Sequence, residues 1–156
     1  MKKSLLLAAT AAAVIGFGQD FTYVSPKLQD YNLVVDFTAN GLPRGEMVDF
    51  ALAGEARAVY ACIERGDPAG KRAMDHKIIE KTQWVEGRFI VNSEGWTRQL
   101  LALDPPMLPP SEQCADSNHR SVLAGIEYKD VRVVNMRNDQ SRKVKGKFSK
   151  VFFNLD

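Results

Sequence analysis

The feature that most constrains the fold of this chain is a series of short apolar segments that alternate with a two-residue period. Asn32 to Thr38, Met47 to Ala53 and Trp84 to Ser93 are rich in β-branched and aromatic residues, which favour strands. Turn-forming glycine and proline follow the first of them, in Asn40 to Gly45. The alanine-rich stretch Glu46 to Arg65 comes nearest to a helix, but its apolar residues also alternate. The sequence therefore predicts an all-β fold.

The remaining strands complete a turn-spaced series that is typical of an antiparallel sandwich. They are predicted at Ala56 to Glu64, Trp96 to Leu103, Ser121 to Tyr128 and Val131 to Met136, with weaker candidates at His76 to Lys81 and Lys147 to Asn154. Ser93-Glu94-Gly95 predicts a hairpin turn between the strands on either side of it. Four prolines between Asp104 and Gln113 exclude regular sheet or helix from that stretch. We expect seven to eight strands in two layers.

Residues 1–18 have the three parts of a cleavable secretion signal. Lys2 and Lys3 form its positively charged start, Leu5 to Ile15 its apolar centre, and Gly16-Phe17-Gly18 a small-residue cleavage site. The apolar centre has eleven residues, whereas a membrane-spanning helix needs about 20. We therefore expect a signal peptide over residues 1–18, no membrane span, and a secreted, extracellular protein.

The charge balance of the chain argues against a nucleic-acid partner. The sequence has 21 Lys and Arg against 19 Asp and Glu. Removal of Lys2 and Lys3 with the leader leaves 19 of each and a net charge of zero. Charge is nevertheless uneven, because Arg137 to Lys150 contains six basic residues and one acid. This basic segment is the best candidate for a contact with an anionic surface.

Cys62 and Cys114 are the two cysteines of the chain, and the predicted export decides how they are interpreted. Two cysteines in an oxidising compartment most often form one disulfide. A bond between them would close a loop of about 50 residues, which stabilises a fold by about 4 kcal/mol in the chain-entropy model. A metal site would need more ligands at closer spacing, and a catalytic cysteine would need a base that the sequence does not place.

The predicted domain organisation has four parts. Residues 1–18 are the signal peptide, and residues 19–31 are an irregular segment that contains Pro26 and few apolar residues in register. Residues 32–138 are the sandwich domain. Residues 139–156 are a basic C-terminal extension, which the apolar residues from Val151 to Phe153 could end with a strand.

The order of several short motifs resembles a family of small secreted bacterial and fungal proteins, mostly uncharacterised. The matching residues are Tyr60-Ala61-Cys62, Gly87-Arg88-Phe89, Leu101 to Pro106, Cys114, Val122-Leu123, Ile126-Glu127-Tyr128 and Val131-Arg132-Val133. The resemblance covers roughly Leu33 to Asn138, about two thirds of the chain. The family's N-x-G-G turn is replaced by Glu64 to Asp67, and the proline and glycine after its second cysteine by Ala115 to Ser117. The resemblance implies a disulfide-stapled, immunoglobulin-like antiparallel β-sandwich, and it implies no activity.

No catalytic or metal-binding motif stands out in the sequence. The zinc signature H-E-x-x-H and the hydrolase signature G-x-S-x-G are both absent. His76 and His119 each lie near an aspartate, so a metal pair is conceivable, but we expect ordinary surface histidines. Ser117 and Ser121 lie close to His119 in sequence, yet a catalytic triad is assembled in space. We expect no catalytic residue, no metal and no cofactor.

Three acidic residues support an alternative function, that of a secreted carbohydrate-active hydrolase. Glu64 and Asp67 flank the first cysteine, and Asp116 follows the second. Paired carboxylates are the acid and base of most glycosidases. A chain with 19 acidic residues offers many such pairs, so this hypothesis ranks second.

Two further features predict binding rather than catalysis. Trp84 and Trp96 could form a sugar-stacking surface, with Trp84 on the outer face of its strand. Arg142, Lys143, Lys145 and Lys147 are the predicted anion-binding residues of a polyanion-binding module. The leading hypothesis is a secreted, non-enzymatic β-sandwich that binds a cell-wall polysaccharide or host protein. Its contacts would come from the loops Arg65 to Asp75 and Asp104 to Asn118.

Overall fold

A computed structural model of the protein describes residues 21–66 and 75–155, and within them the fold is all-β, as predicted. The predicted signal peptide lies outside the described residues. The strands are β1 (Phe21–Gln29), β2 (Asn32–Ala39), β3 (Met47–Glu64), β4 (Asp75–Ile90), β5 (Thr97–Leu103), β6 (His119–Asn135), β7 (Ser141–Lys143) and β8 (Phe148–Val151). A single 3₁₀ turn, Pro110–Glu112, interrupts the loop between β5 and β6. The described residues contain no helix that is long and apolar enough to cross a bilayer.

The strands form two antiparallel sheets that pack face to face. Sheet A has the order β1-β2-β5, and sheet B has the order β4-β3-β6-β7, with β8 also paired to β6. Every strand pair is antiparallel. The prediction of an antiparallel two-layer fold is therefore confirmed.

The main core lies between the two sheets and follows from the alternation of the strands. Phe37 of β2 and Phe50 of β3 are completely buried, and their ring centroids lie 5.2 Å apart. Phe21 packs edge-on against both rings at 6.1 Å, and Phe89 of β4 lies 6.3 Å from Phe50. Full burial of one such side chain contributes about 1.5–3 kcal/mol. This aromatic cluster holds sheet A against one end of sheet B.

Sheet B extends past sheet A at its other end. Strand β3 has 18 residues, whereas the strands of sheet A have 7 to 9. On the outer face of this projecting end, Ala61, Ile63 and Ala124 form a second buried cluster that packs against Phe153 and Leu155. The backbone of the segment after β8 is fixed there, because the Phe152 amide donates to the Ala124 carbonyl at 2.7 Å.

Two predicted boundaries are wrong because both ends of the described chain belong to the sheets. Residues 19–31 were expected to be irregular, but β1 occupies most of that segment. Pro26 is accommodated because β1 is an edge strand. On the open side of an edge strand, the N–H group that proline lacks would have no neighbouring strand to bond. The predicted basic extension after residue 138 contains β7 and β8, which pair with β6. The sandwich therefore runs beyond residues 32–138 in both directions.

Strands β3 and β6 of sheet B are longer than predicted. Where the sequence suggested a turn between two shorter strands, the structure has a bulge within one longer strand. The register between β3 and β6 shifts between Ala53 and Glu55, and again between Val59 and Tyr60. Gly54 is required at the first bulge, since a Cβ atom there would lie 2.9 Å from the Val131 side chain. In the segment of β6 opposite Gly54, Asp130 adopts a left-handed conformation with a φ of 49°. Pairs of predicted strands therefore merge into the single strands β3 and β6.

The predicted hairpin at Ser93-Glu94-Gly95 is also wrong, because the turn joins two sheets. Strand β4 before it belongs to sheet B and β5 after it belongs to sheet A. The Gly95 amide donates to the Asn92 carbonyl at 3.2 Å, and Gly95 has a φ of 83° that favours glycine. The turn chemistry was predicted correctly, but its strands do not pair with each other.

Candidate functional site

The loop between β5 and β6, residues 104–118, is fixed onto the inner face of the projecting end of sheet B; we call it the stapled loop. Cys62 of β3 and Cys114 of the loop form a disulfide with a Cα–Cα distance of 5.8 Å, which confirms the predicted bridge. Tyr60 lies two residues before Cys62 and therefore on the same face. Its hydroxyl donates to the Pro106 carbonyl at 3.0 Å. Two neighbouring inward positions of β3 thus hold both halves of the loop.

A third anchor of the stapled loop comes from β6. Ser121 is the cross-strand partner of Cys62, so its side chain lies on the same face of sheet B. Its hydroxyl oxygen accepts a hydrogen bond from the Cys114 amide at 3.0 Å and lies 3.2 Å from the Cys114 sulfur. The hydroxyl of Ser121 is therefore used to hold the loop.

A cavity of about 530 Å³ lies between the stapled loop and the end of sheet B. Its apolar wall is formed by Met107 and Leu108 of the loop together with Tyr60. Met107 is 81% exposed, the largest exposed fraction of any large apolar side chain in the described residues. Two arginines, Arg65 and Arg120, also line the cavity and supply cationic groups. The cavity therefore combines an exposed apolar contact with two positive charges.

The cavity also contains a histidine–carboxylate pair. The Nδ1 atom of His119 lies 3.1 Å from Oδ2 of Asp116, and the other oxygen of this carboxylate accepts the Asn118 amide at 2.8 Å. The hydrogen bond from the Asn118 amide, reinforced by His119, lowers the pKa of Asp116 below its usual value. The Arg65 side chain donates to the His119 carbonyl at 3.4 Å. The two strand ends are thus held together around an ionised carboxylate.

The predicted catalytic groups are only partly brought together. Glu64 is the cross-strand partner of His119, so it lies at the same end of sheet B as Asp116. Asp67 lies outside the described residues. No group of three or more potential metal ligands occurs in the described part of the chain. His76 lies on β4 and His119 on β6, with β3 between these two strands.

The four predicted anion-binding residues have three different environments. The guanidinium of Arg142 donates to the Phe21 carbonyl, because Arg142 is the partner of inward-facing Val133. The ammonium of Lys143 lies 3.4 Å from the Asp130 carboxylate. Lys145 and Lys147 are exposed and belong to none of the ion pairs between described residues. The basic segment therefore does not present all four side chains in one patch.

The two tryptophans lie on different parts of the fold. Trp84 is 48% exposed on the outer face of β4, as its alternation predicted, and its indole donates to Glu86 at 2.6 Å. Trp96 is 38% exposed in the turn between the sheets, where it donates to Glu94 at 2.8 Å. They are not on neighbouring strands of one hairpin, which removes the basis on which a shared sugar-stacking surface was predicted.

Sequence patterns identified one part of this site and missed another. The prolines and Cys114 predicted a fixed loop at residues 104–118. Tyr60 could have been assigned to it from its two-residue spacing to Cys62. The positions of Ser121 and Arg120 depend on the register of β3 and β6, which two bulges shift, so no local pattern indicates them. The second predicted binding loop, Arg65 to Asp75, is described only at its ends.

Comparison with known proteins adds no functional information. No protein-family model matches the chain, and the search of curated proteins found no significant match.

Proposed function

We propose that this protein is a secreted, non-catalytic binding protein whose ligand contacts the stapled loop and the cavity behind it. The observation that carries this proposal is the disulfide between Cys62 and Cys114, which holds an irregular loop against the projecting end of sheet B. A loop fixed in advance loses little conformational entropy when it binds. Met107, which is 81% exposed on this loop, is an apolar contact with no role in the core.

The charges of the cavity favour an acidic polysaccharide as the ligand. The Asp116 carboxylate is engaged by His119 and the Asn118 amide, which leaves the cationic Arg65 and Arg120 on its rim. Guanidinium groups bind carboxylates with paired hydrogen bonds. Apolar side chains such as Met107 can contact the C–H faces of a sugar ring. A carboxylated cell-wall polysaccharide satisfies both requirements.

Export is part of the same proposal. Its support is the leader pattern of residues 1–18 together with the disulfide, since such bonds persist in oxidising compartments. N-terminal sequencing of the protein recovered from the culture medium should begin at Gln19. Recovery of unprocessed chain from the cytosol, with both cysteines free, would contradict export while leaving the binding test unaffected.

We also infer an immunoglobulin-like arrangement, in keeping with the motif resemblance of Leu33 to Asn138. The strand order supports this inference: β1-β2-β5 corresponds to strands A-B-E, and β4-β3-β6-β7 to C′-C-F-G. The disulfide differs from that of antibody domains because it joins a strand to a loop. An experimental structure in which β2 lies between β1 and a strand other than β5 would contradict the assignment.

Binding can be tested with polygalacturonate, a carboxylated polysaccharide, and neutral dextran of similar length. We expect calorimetry to detect polygalacturonate only, and we expect Arg120→Glu and Met107→Glu to weaken its binding at least tenfold. Leu100→Glu is the matched control, since Leu100 is also exposed, at 59%, but lies on sheet A. No binding of polygalacturonate, or an equal loss in the control, would overturn the proposal.

The same samples distinguish the alternative functions. Loss of binding in Lys145→Ala/Lys147→Ala, with Arg120→Glu unaffected, would assign the contact to the basic segment instead. Release of reducing ends from polygalacturonate that depends on Asp116 would favour the hydrolase. Either result would replace the present proposal.

A further inference from the structure

Within the described residues, no strand pairs with the outer edge of β4 along the first half of that strand. Among the described strands β3 is its sheet neighbour, and β5 of sheet A approaches only its far end, around Gly87. From Asp75 to Thr82 every residue except Ile79 is exposed, and Ile78 is exposed by 45%. Backbone groups on such an edge can pair with another strand.

The edge carries charges of both signs, and within the described residues only Glu80 of this edge forms an ion pair, with Arg57 at 3.1 Å. Lys77 and Lys81 belong to none of the ion pairs between described residues. Among the described residues, the Asp75 carboxylate accepts one hydrogen bond, from the backbone amide of His76 at 2.8 Å. Edges that are protected against association commonly carry lysine, but this edge alternates lysines with acids.

The sequence of the edge is complementary to itself in one antiparallel register. Two copies related by a two-fold axis perpendicular to the sheet keep their inner and outer faces, so partners must be an even number of residues apart. With the axis at Ile78, this residue lies opposite its own copy. Asp75 then faces Lys81, and His76 faces Glu80. Symmetry forms the Asp75–Lys81 charge pair twice.

Neighbouring registers are repulsive, which makes the register specific. A shift of one step in one direction places Lys77 opposite Lys77 of the second copy. A shift of one step in the other direction places Lys77 opposite Lys81. Like charges directly opposite each other destabilise a strand pair, whereas opposite charges stabilise it by about 0.2–1 kcal/mol. Of these three registers, the one centred on Ile78 avoids the repulsion.

We propose that two copies of this chain associate through the β4 edge, with Ile78 on the two-fold axis and Asp75 paired to Lys81 of the second copy. The pairing would extend sheet B into one continuous antiparallel sheet across both copies. It does not depend on the proposed ligand, because Met107 and Arg120 take no part in it.

Disulfide trapping tests the register directly. Residues opposite each other in an antiparallel pair have Cα atoms about 4.5–5.5 Å apart, within the range that a disulfide bridges. We expect Ile78→Cys to form a cross-linked dimer under mild oxidation. Lys77→Cys is the matched control, because residue 77 faces residue 79 and its own copy lies out of reach. Peptide mapping checks that Cys62 and Cys114 remain bridged.

Charge reversal tests the same contact in the absence of added cysteines. Sedimentation velocity over a concentration series should show a monomer–dimer equilibrium for the unmodified protein. We expect Lys81→Asp and Asp75→Lys each to weaken dimerisation about tenfold. The double variant should restore it to within about twofold of the original, because the charge pair is re-formed with its signs exchanged. Lys27→Asp, on the edge strand of sheet A, should change nothing.

Either experiment can overturn the proposal. A monomer at all concentrations, or a double variant no better than its single variants, would exclude pairing through this edge. Cross-linking of Lys77→Cys as fast as Ile78→Cys would exclude the register. Unchanged near-ultraviolet circular dichroism in each variant verifies that the fold itself is intact.

Discussion

The two ends of sheet B are buried in different ways. At one end sheet A covers the inner face, and large side chains such as Phe37 and Phe50 interlock there. At the other end a loop and a chain segment without strand structure provide the cover, and small residues such as Ala61 and Ala124 line the outer face. The first arrangement is stabilised by packing area, and the second by a covalent bond and a few hydrogen bonds. The difference predicts unequal responses to substitution.

The largest effect should come from the aromatic cluster. Phe50→Ala removes a completely buried ring that contacts Phe21, Phe37 and Phe89, and we expect it to lower the free energy of unfolding by about 3–5 kcal/mol. Ile63→Ala, in the smaller second cluster, should cost about 2 kcal/mol, at the low end for such changes. Urea denaturation measures both values. Equal losses would show that the two ends are packed equally well.

Removal of the disulfide should affect the second end most. We expect Cys62→Ala/Cys114→Ala to lower the free energy of unfolding by about 2–4 kcal/mol. Hydrogen exchange should become fast throughout residues 104–118. Amides of β2 should lose only as much protection as the fall in the global free energy of unfolding requires. If β2 became as unprotected as the stapled loop, the two ends would be one cooperative unit.

A smaller effect is expected where the two sheets meet at Tyr128. Its hydroxyl donates to the Leu103 carbonyl at 3.0 Å and also lies 2.8 Å from the Tyr31 carbonyl. Tyr128→Phe leaves these carbonyls without that donor, and we expect a loss of about 1–2 kcal/mol in the free energy of unfolding at neutral pH. Chemical denaturation measures it. A loss below about 0.3 kcal/mol would show that water replaces the hydroxyl.

Tyr128 also makes the stability of the fold decrease at alkaline pH. Burial raises the pKa of Tyr128, so the folded state favours the neutral phenol. The resulting stability is complete below the unfolded pKa of about 10 and is lost as the pH rises above it. Stability measured between pH 8 and 11 should therefore fall less steeply in Tyr128→Phe than in the unmodified protein. Parallel curves would contradict this origin of the alkaline loss.

The sequence was sufficient to predict the all-β class and the disulfide, because alternation and cysteine number are local or countable properties. It was insufficient for the lengths of the strands in sheet B. Asp130 with its left-handed backbone marks a bulge, and in a sequence a bulge looks like the turn that was predicted there. Pro26 similarly suggested irregular chain, since only the sheet order shows that β1 is an edge.

The candidate site was predictable only as far as its loop. The prolines and Cys114 identified residues 104–118, but which sheet residues face them depends on a shifted register. The four basic residues of the predicted anion-binding segment do not form one patch for a related reason. Strand pairing directs Arg142 inward, toward the Phe21 carbonyl, and Lys143 outward. Neighbouring residues in a strand point to opposite faces, so charge density along a sequence does not measure charge density on a surface.

The contact of Arg142 with the Phe21 carbonyl has a consequence for the order of folding. It joins the first strand to the seventh across 121 residues, and the Tyr128 hydroxyl makes a similar long-range connection to Tyr31. Strand β1 can pair with the neighbouring β2 early, but these two contacts can form only after β6 and β7 have been synthesised. Chains dominated by such distant pairings fold slowly, on a timescale of milliseconds to seconds. These two contacts are therefore expected to form late in folding, which is compatible with the proposed export of an unfolded chain.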